Sequence, residues 1–328
     1  MTMNDELMHP VGDHPAWSES YYFNFVDPSS KIGMFTRMGF RPGNGWADAL
    51  HVIYLEGRRV AFTYGRRDIE KDLSRYDGDL AAGGLRLECV EPHQCWQLTY
   101  RGAAQDVPDA EVLLTRSKER PDGWYQPAEL DMAVRFDCLT PPQYANKGEH
   151  GHFEQSGHVN GTITLGHESW TVDGYGVRDK SWGPRDWGAG SQSSDGGAEK
   201  PDGPAPFVNW FSMNFGPDAA LGGSCFLGAD GVMRGQGWLQ RGDEHLALPE
   251  VVIESEYKAD SIIHKAVRLK AKSETEEELL ITGEVSSVCP TKIPMPGGAI
   301  FVNEGLTEFS WGDRKGYGIA EHWHGVRL

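Results

Sequence analysis

The chain has 328 residues, with 48 acidic against 31 basic side chains and a formal net charge of −17. That length favours two domains of ordinary size over one, and the acidic balance argues against a surface that tracks nucleic-acid phosphates. The five cysteines are odd in number and contain no C-x-x-C pair, which points to free thiols in a reducing compartment rather than a disulfide frame or a zinc knuckle.

The first residues, Met-Thr-Met-Asn-Asp-Glu-Leu, are acidic and lack the basic start and apolar run of a signal peptide. No stretch approaches the ~20 apolar residues of a membrane span. Both features fit a cytoplasmic protein with no membrane span. Residues 50–55 and 59–64 read as a hairpin around Glu56-Gly57. Residues 67–76 carry the best helical spacing, with Ile69, Leu73 and Tyr76 on one face. Trp96, Leu98 and Tyr100 alternate with Gln97, Thr99 and Arg101. Leu130, Met132, Val134, Phe136 and Cys138 alternate with Asp131, Arg135 and Asp137, and each pattern is that of a half-buried strand. A strand run through Glu154 continues to Leu165. Residues 189–206, rich in Gly, Ser, Asp and Pro, read as a loop or linker. Beyond it, the turn 228–231 separates two further strands, and Val267, Leu269 and Ala271 alternate with Arg268 and Lys270.

With 41 glycines, many short strands and almost no helical periodicity, the chain reads as all-β, as barrels or sandwiches. Barrels have the advantage of leaving no exposed edge. We expect one β-domain over residues 1–172 and another over 173–328, of similar enough size to be a degenerate duplication.

The densest chemistry lies in Gly174-Tyr175-Gly-Val-Arg178-Asp179-Lys180-Ser-Trp182-Gly-Pro184-Arg185-Asp186-Trp187. Charged side chains are seldom buried unpaired, whereas Trp is usually largely buried, so the run implies ion pairs held against an apolar wall. In an extended strand Asp179 and Ser181 share one face, and Arg178, Lys180 and Trp182 share the other. Pro184 halts regular pairing, so Gly183-Pro184 should turn the chain and return Arg185, Asp186 and Trp187 beside the strand. The segment is then either a latch of buried indoles and Arg–Asp bridges or a site. A carboxyl buried beside an indole keeps its proton and can donate it, whereas a neighbouring Arg or Lys pulls its pKa down, and both environments are open to Asp179 and Asp186; Glu154, in a strand run, is a second candidate acid.

His150/His152 and His322/His324 have the i, i+2 spacing of strand metal ligands. The first pair lacks a glutamate four or five positions on, Ser156 and Gly157 standing there, and we expect no metal. No G-x-S-x-G elbow or phosphate loop is present, and Gly222-Gly-Ser-Cys225 answers to backbone needs. Trp210, Trp238, Trp311 and Trp323 fall in or beside strands, where an inward indole can fill a core or line an apolar cavity.

Three stretches, Gly176 to Trp187, Glu154-Gln155-x-Gly157-x-x-x-Gly161, and Gly316-Tyr-Gly-Ile-Ala-Glu321-x-Trp323, resemble the carotenoid 1,2-hydratase (hydroxyneurosporene synthase) and AttH family. The resemblance implies two lipocalin-like (calycin) antiparallel β-barrel domains packed together, a hydrophobic small-molecule ligand and no cofactor. Members of that family include hydratases of isoprenoid double bonds and fungal pericyclases. Asp179 and Trp182 match the hydratase motif, while Lys180 stands where the hydratases carry a histidine. The expected function is acid-catalysed hydration, dehydration or isomerisation of a terpenoid-like or polycyclic substrate, as a hydro-lyase or isomerase. Asp179 or Glu154 would protonate the double bond, and Trp182, Trp187 and Trp210 would stabilise the cation through their π faces. Lys180, Arg178 and Arg185 would set ionisation and orient water, with Tyr175 and Asp186 beside the substrate. The alternative is a non-catalytic lipocalin-like carrier. A homodimer is compatible with either.

Overall fold

The structure, a computed structural model, describes residues 5–184, 206–295 and 298–327. No helix in it is long and apolar enough to cross a membrane. The chain divides into two compact units, Met1–Pro108 with Tyr125–Asp186, and Asp109–Trp124 with Trp187–Leu328. The expected division at 172/173 falls inside a strand that is paired along most of its length, so the chain separates after that strand instead.

The first unit holds β1 (Trp17–Asp27), β2 (Ile32–Arg41), β3 (Trp46–Tyr54), β4 (Val60–Asp68), β5 (Leu80–Ala82), β6 (Leu85–Glu91), β7 (Cys95–Val107), β8 (Gln126–Cys138), β9 (Gln143–Asn146), β10 (Gly151–Leu165) and β11 (Glu168–Pro184). Neighbours run β4-β3-β2-β1-β11-β10-β8-β7, and β4 also pairs with β7, so the path returns on itself as a barrel. That closing seam is short, running only from Val60↔Val107 to Phe62↔Gln105. Arg59 clips it, with Nε 2.8 Å from Asp106 Oδ1 and Nη2 2.6 Å from Glu168 Oε1. The second unit closes fully through β12 (Val208–Asn214), β13 (Ala219–Leu227), β14 (Met233–Arg241), β15 (Glu244–Tyr257), β16 (His264–Lys272), β17 (Glu278–Met295), β18 (Gly298–Trp311) and β19 (Arg314–Arg327). Inward positions build the cores: Phe23, Phe25, Trp96, Phe136 and Val159 in the first, and Phe211, Leu221, Leu248, Val251 and Phe309 in the second.

Two local expectations are corrected. Residues 67–76 form no α-helix, because Arg67 and Asp68 are drawn into β4 opposite Ala47 and Trp46. What remains is a 3-10 turn at Leu73–Tyr76, capped by Asp72 and burying only Leu73. Gly183-Pro184 does not turn the chain but continues β11 opposite Ser18 and Trp17.

The two barrels repeat one another internally. Gly174-Tyr-Gly-Val-Arg-Asp179 on β11 corresponds to Gly316-Tyr-Gly-Ile-Ala-Glu321 on β19. In both, the second glycine permits a close backbone approach: a Cβ on Gly176 would stand 1.7 Å from Asn24 O, and one on Gly318 1.9 Å from Ser212 O. The registers also correspond. Asp179 lies opposite Tyr22 and Glu154, as Glu321 lies opposite Trp210 and Glu304. Lys180 lies opposite Tyr21 and Phe153, as His322 lies opposite Asn209 and Asn303.

Charge is buried inside the first barrel. Arg178 donates from both terminal nitrogens to Glu6, at 2.6 Å each, with its guanidinium over Trp96 at 4.9 Å, Phe153 at 5.2 Å and Phe23 at 5.6 Å. Burial would raise the Glu6 carboxyl, but Arg178 outweighs it and holds Glu6 below its ordinary value. Lys180 pairs with Glu19 and lies over the Tyr21 ring at 4.4 Å. Burial pulls its ammonium below the ordinary lysine value in spite of that partner. His9 adjoins this pair, Nδ1 lying 2.8 Å from Glu19 Oε1, and its ring stacks on Trp182 at 4.0 Å.

Removing one partner of a buried pair strands the other charge, so Glu19→Gln should cost ~3–5 kcal/mol of unfolding free energy. Glu19→Leu combined with Lys180→Met should recover most of that loss. Urea denaturation of the three proteins decides the point, and a double variant no more stable than the single one would show that the pairing is not the source.

Burial alone lowers His51 to about 3, and burial chiefly lowers His264 to about 3 and His322 well below its ordinary value. These imidazoles stay neutral in the fold, while the unfolded chain takes up their protons below its pKa of ~6.5. Their contribution is therefore complete above neutral pH and is lost as pH falls from ~6.5 toward 3, at ~1.4 kcal/mol per pH unit for each histidine. Urea midpoints should fall between pH 7 and 5, and His264→Phe should flatten that slope.

Candidate active site

Alternation along β11 decides which motif residues can act together. Arg178, Lys180 and Trp182 point into the first barrel, where each is fully or almost fully buried. Trp182 Nε1 donates to Gly148 O at 2.9 Å, anchoring the indole at the barrel end. Asp179 points to the opposite, outer face. A substrate that reached Asp179 would thus meet neither Lys180 nor Trp182, and the expected grouping of these three is corrected by the period of the strand. The Arg–Asp bridges expected within the segment are also replaced. The inward cations take Glu6 and Glu19 as partners, because adjacent residues of opposite charge cannot meet across a strand.

On the outer face the structure does unite two of the expected acids. Glu154 on β10 is directly opposite Asp179, and His152 stands beside both, with Nε2 3.2 Å from Asp179 Oδ2 and 3.6 Å from Glu154 Oε1. Side-chain exposure is 4% for Glu154, 19% for Asp179 and 18% for His152. The carboxylates are thus shielded, yet one edge of the cluster meets solvent. Tyr22 flanks Asp179 from β1, with Asn24 Nδ2 3.5 Å from its hydroxyl oxygen. Ser20 and Ser181 hydrogen-bond at 2.9 Å on the same face. An imidazole between two carboxylates can hold one proton among three groups and pass it on, which is the requirement for general acid–base chemistry.

The other candidates lie apart. Tyr175 shares the outer face but packs on His158 at 5.4 Å, four residues or roughly 13 Å along the strand from Asp179. Trp210 belongs to β12 of the second barrel, opposite Glu321. There Glu321 faces Glu304 across the β18–β19 ladder and accepts from Trp323 Nε1, so the second barrel repeats a buried pair of carboxylates at the position of Glu154 and Asp179. Arg185, Asp186 and Trp187 lie outside the described residues. Among the described residues no group of three His, Cys, Asp or Glu side chains is arranged to hold a metal ion.

Sequence reasoning missed Glu6, His9, Glu19 and the acid-base role open to His152. Glu19 had a signal. It occupies the inward register of Trp17, Tyr21, Phe23 and Phe25 in β1, a lone carboxylate in an apolar alternation that demands a buried cation. Glu6 and His9 precede the first strand and had none.

Solved structures share this fold. The chain is similar to an AttH-like protein of Nitrosomonas europaea, with a TM-score of 0.57 and 13% identity over 99% of this chain and 97% of that one. It is similar to kievitone hydratase of Nectria haematococca, at 0.56 and 10% over 100% and 92%. It is also similar to CghA in complex with Sch210972, at 0.51 and 11% over 96% and 89%. At these identities the likeness is one of fold, and it agrees with the two lipocalin-like barrels expected from the sequence. No curated protein matches the chain in sequence. A family model described as a domain of unknown function, DUF7064, matches residues 2–325, and the chain belongs to that family.

Proposed function

We propose that the protein is an acid–base enzyme that adds water to, removes water from, or shifts a carbon–carbon double bond in a hydrophobic terpenoid-like or polycyclic substrate. The observation that carries this reading is the contact of His152 with both Asp179 and Glu154 on one shielded face. In this reading one proton is held among the three groups, His152 lying 3.2 Å from Asp179 and 3.6 Å from Glu154. The protonated carboxyl then donates to an alkene carbon, which leaves a carbocation. Water adds to the cation, and the remaining carboxylate or His152 takes its second proton, so the net change is addition of one water. The same steps in reverse dehydrate a tertiary alcohol. Loss of a neighbouring C–H proton in place of water addition moves the double bond. No electron transfer is involved. The fold likeness to a protein named as a hydratase is consistent with this chemistry and does not specify the substrate.

Lys180 and Trp182 have a different part in this reading: they hold β11 in register from behind, and Asp179 is presented from the front. The carrier reading remains the competing outcome, favoured by how much of the motif's charge is consumed in buried pairs.

The test is incubation with a panel of isoprenoid and polycyclic alkenes in H2-18O, followed by mass spectrometry. An enzyme yields a product heavier by one labelled water, or an isomer of unchanged mass. Asp179→Asn and Glu154→Gln should each lower turnover by ~10²–10⁴-fold while substrate binding persists. Ligand bound and returned unaltered by the native protein would establish a carrier, and full turnover in both variants would remove these acids from the mechanism.

A further inference from the structure

Beside Asp179 on the outer face of the first barrel runs a row of small side chains. His152 on β10 lies opposite Ser181 on β11, Ser181 opposite Ser20 on β1, and Ser20 opposite Gly39 on β2. Between the imidazole and the glycine stand two hydroxymethyl groups, their oxygens 2.9 Å apart. Two residues along β1 on the same face, Ser18 lies opposite another glycine, Gly183. The neighbouring row, Glu154, Asp179, Tyr22 and Arg37, carries long side chains. A trough lined by hydroxyls therefore flanks the proposed acids. It ends at Gly39, over which the Arg37 guanidinium lies, since a Cβ there would stand 2.5 Å from Nη2.

These hydroxyls are withdrawn from bulk solvent, Ser18, Ser20 and Ser181 being 3%, 5% and 2% exposed. In the Ser20–Ser181 pair one hydroxyl donates to the other, which leaves one O–H and several lone pairs to engage a further partner. Ser18 Oγ, on the same face, is buried with no hydrogen-bond partner, a state that burial penalises and that a water relieves. Asp179 and Ser181 are two residues apart on one strand, ~7 Å between Cα atoms, so one water between their side chains can touch both.

We propose that Ser20 and Ser181 hold the water that adds to the substrate cation, and that they decide whether turnover ends in an alcohol or in a shifted double bond. The inference rests on the acid–base reading of Asp179, Glu154 and His152, and it adds the place of the nucleophile. Once an alkene carbon has taken a proton, the cation has two exits. A water on the hydroxyl pair offers an oxygen lone pair, the C–O bond forms, and a water proton passes to His152, which faces Ser181 across the ladder. Without that water, an adjacent C–H proton leaves to the carboxylate and the double bond moves. Paired hydroxyls suit the task because they hold water through neutral hydrogen bonds. A carboxylate in their place would capture the cation as an ester, and an ammonium would repel it. Ser20 and Ser181 are thus positioning residues, acting on the cation through the water.

The test uses the full chain in H2-18O with the alkene of the isoprenoid and polycyclic panel that the native protein converts fastest, and it reads the ratio of labelled alcohol to isomer. Ser20→Ala and Ser181→Ala should each lower that ratio by about three- to tenfold, the worth of one hydrogen bond to the attacking water. Should the alanine variants fail to fold, Ser20→Cys and Ser181→Cys keep the side-chain volume, weaken the hydrogen bond and should shift the ratio the same way. Asp179→Asn should lower both products together and leave the ratio unchanged, which separates protonation from water placement. An unchanged ratio in the folded variants at both serines, or a native protein that forms only the isomer, would overturn the inference and leave the acid–base reading standing. A native protein that converts no alkene removes both.

Discussion

The period of two along β11 governs this protein. Successive side chains of a strand point to opposite faces, so a run that is uniformly dense in charge along the sequence is partitioned in space. Arg178 and Lys180 go inward, where only long-range partners can neutralise them, and Asp179 goes outward, where Glu154 and His152 await. The inward half is structural because buried cations must be paired. The outward half carries the groups of the proposed chemistry, on a face that is shielded but not sealed.

The internal repeat places this partition in a wider frame. Both barrels keep the Gly-Tyr-Gly entry that lets two backbones approach closely, and both keep a carboxylate opposite a second carboxylate on the outer face. Their interiors diverge at the same level. The first barrel carries ion pairs packed on aromatic rings, whereas the second carries amides and imidazoles that burial holds neutral. The two barrels share the constraint on backbone approach and differ in what fills the interior, since a clash with a carbonyl oxygen admits no adjustment but a core volume can be filled in several ways.

Much of the fold was legible because alternation is a local signal. Leu130 to Cys138 and Trp96 to Tyr100 read as strands from their own residues, whereas their pattern left barrels and sandwiches both open and the two barrels came from the family resemblance. The opposite faces of Asp179 and Lys180 were equally legible. What escaped was register, which depends on partners far away in sequence: nothing near Asp179 says that Glu154 will be its direct neighbour, or that His152 will bridge the two. The cations of the motif invited local bridges for the same reason, since Glu6 and Glu19 lie more than a hundred and fifty residues away. The helical spacing at Ile69, Leu73 and Tyr76 lost to β4, whose ladder with β3 claims the start of that stretch.

The seam between β4 and β7 gives the first barrel an uneven hoop strength. Elsewhere the ring is held by ladders that run nearly the length of their strands, but here three residue pairs and the Arg59 clip complete the circle. A closed sheet is as hard to part as its shortest ladder, so thermal breathing concentrates along one line rather than spreading around the circumference. Because Arg59 reaches both Asp106 on β7 and Glu168 at the start of β11, its three-way contact acts as the staple of that line.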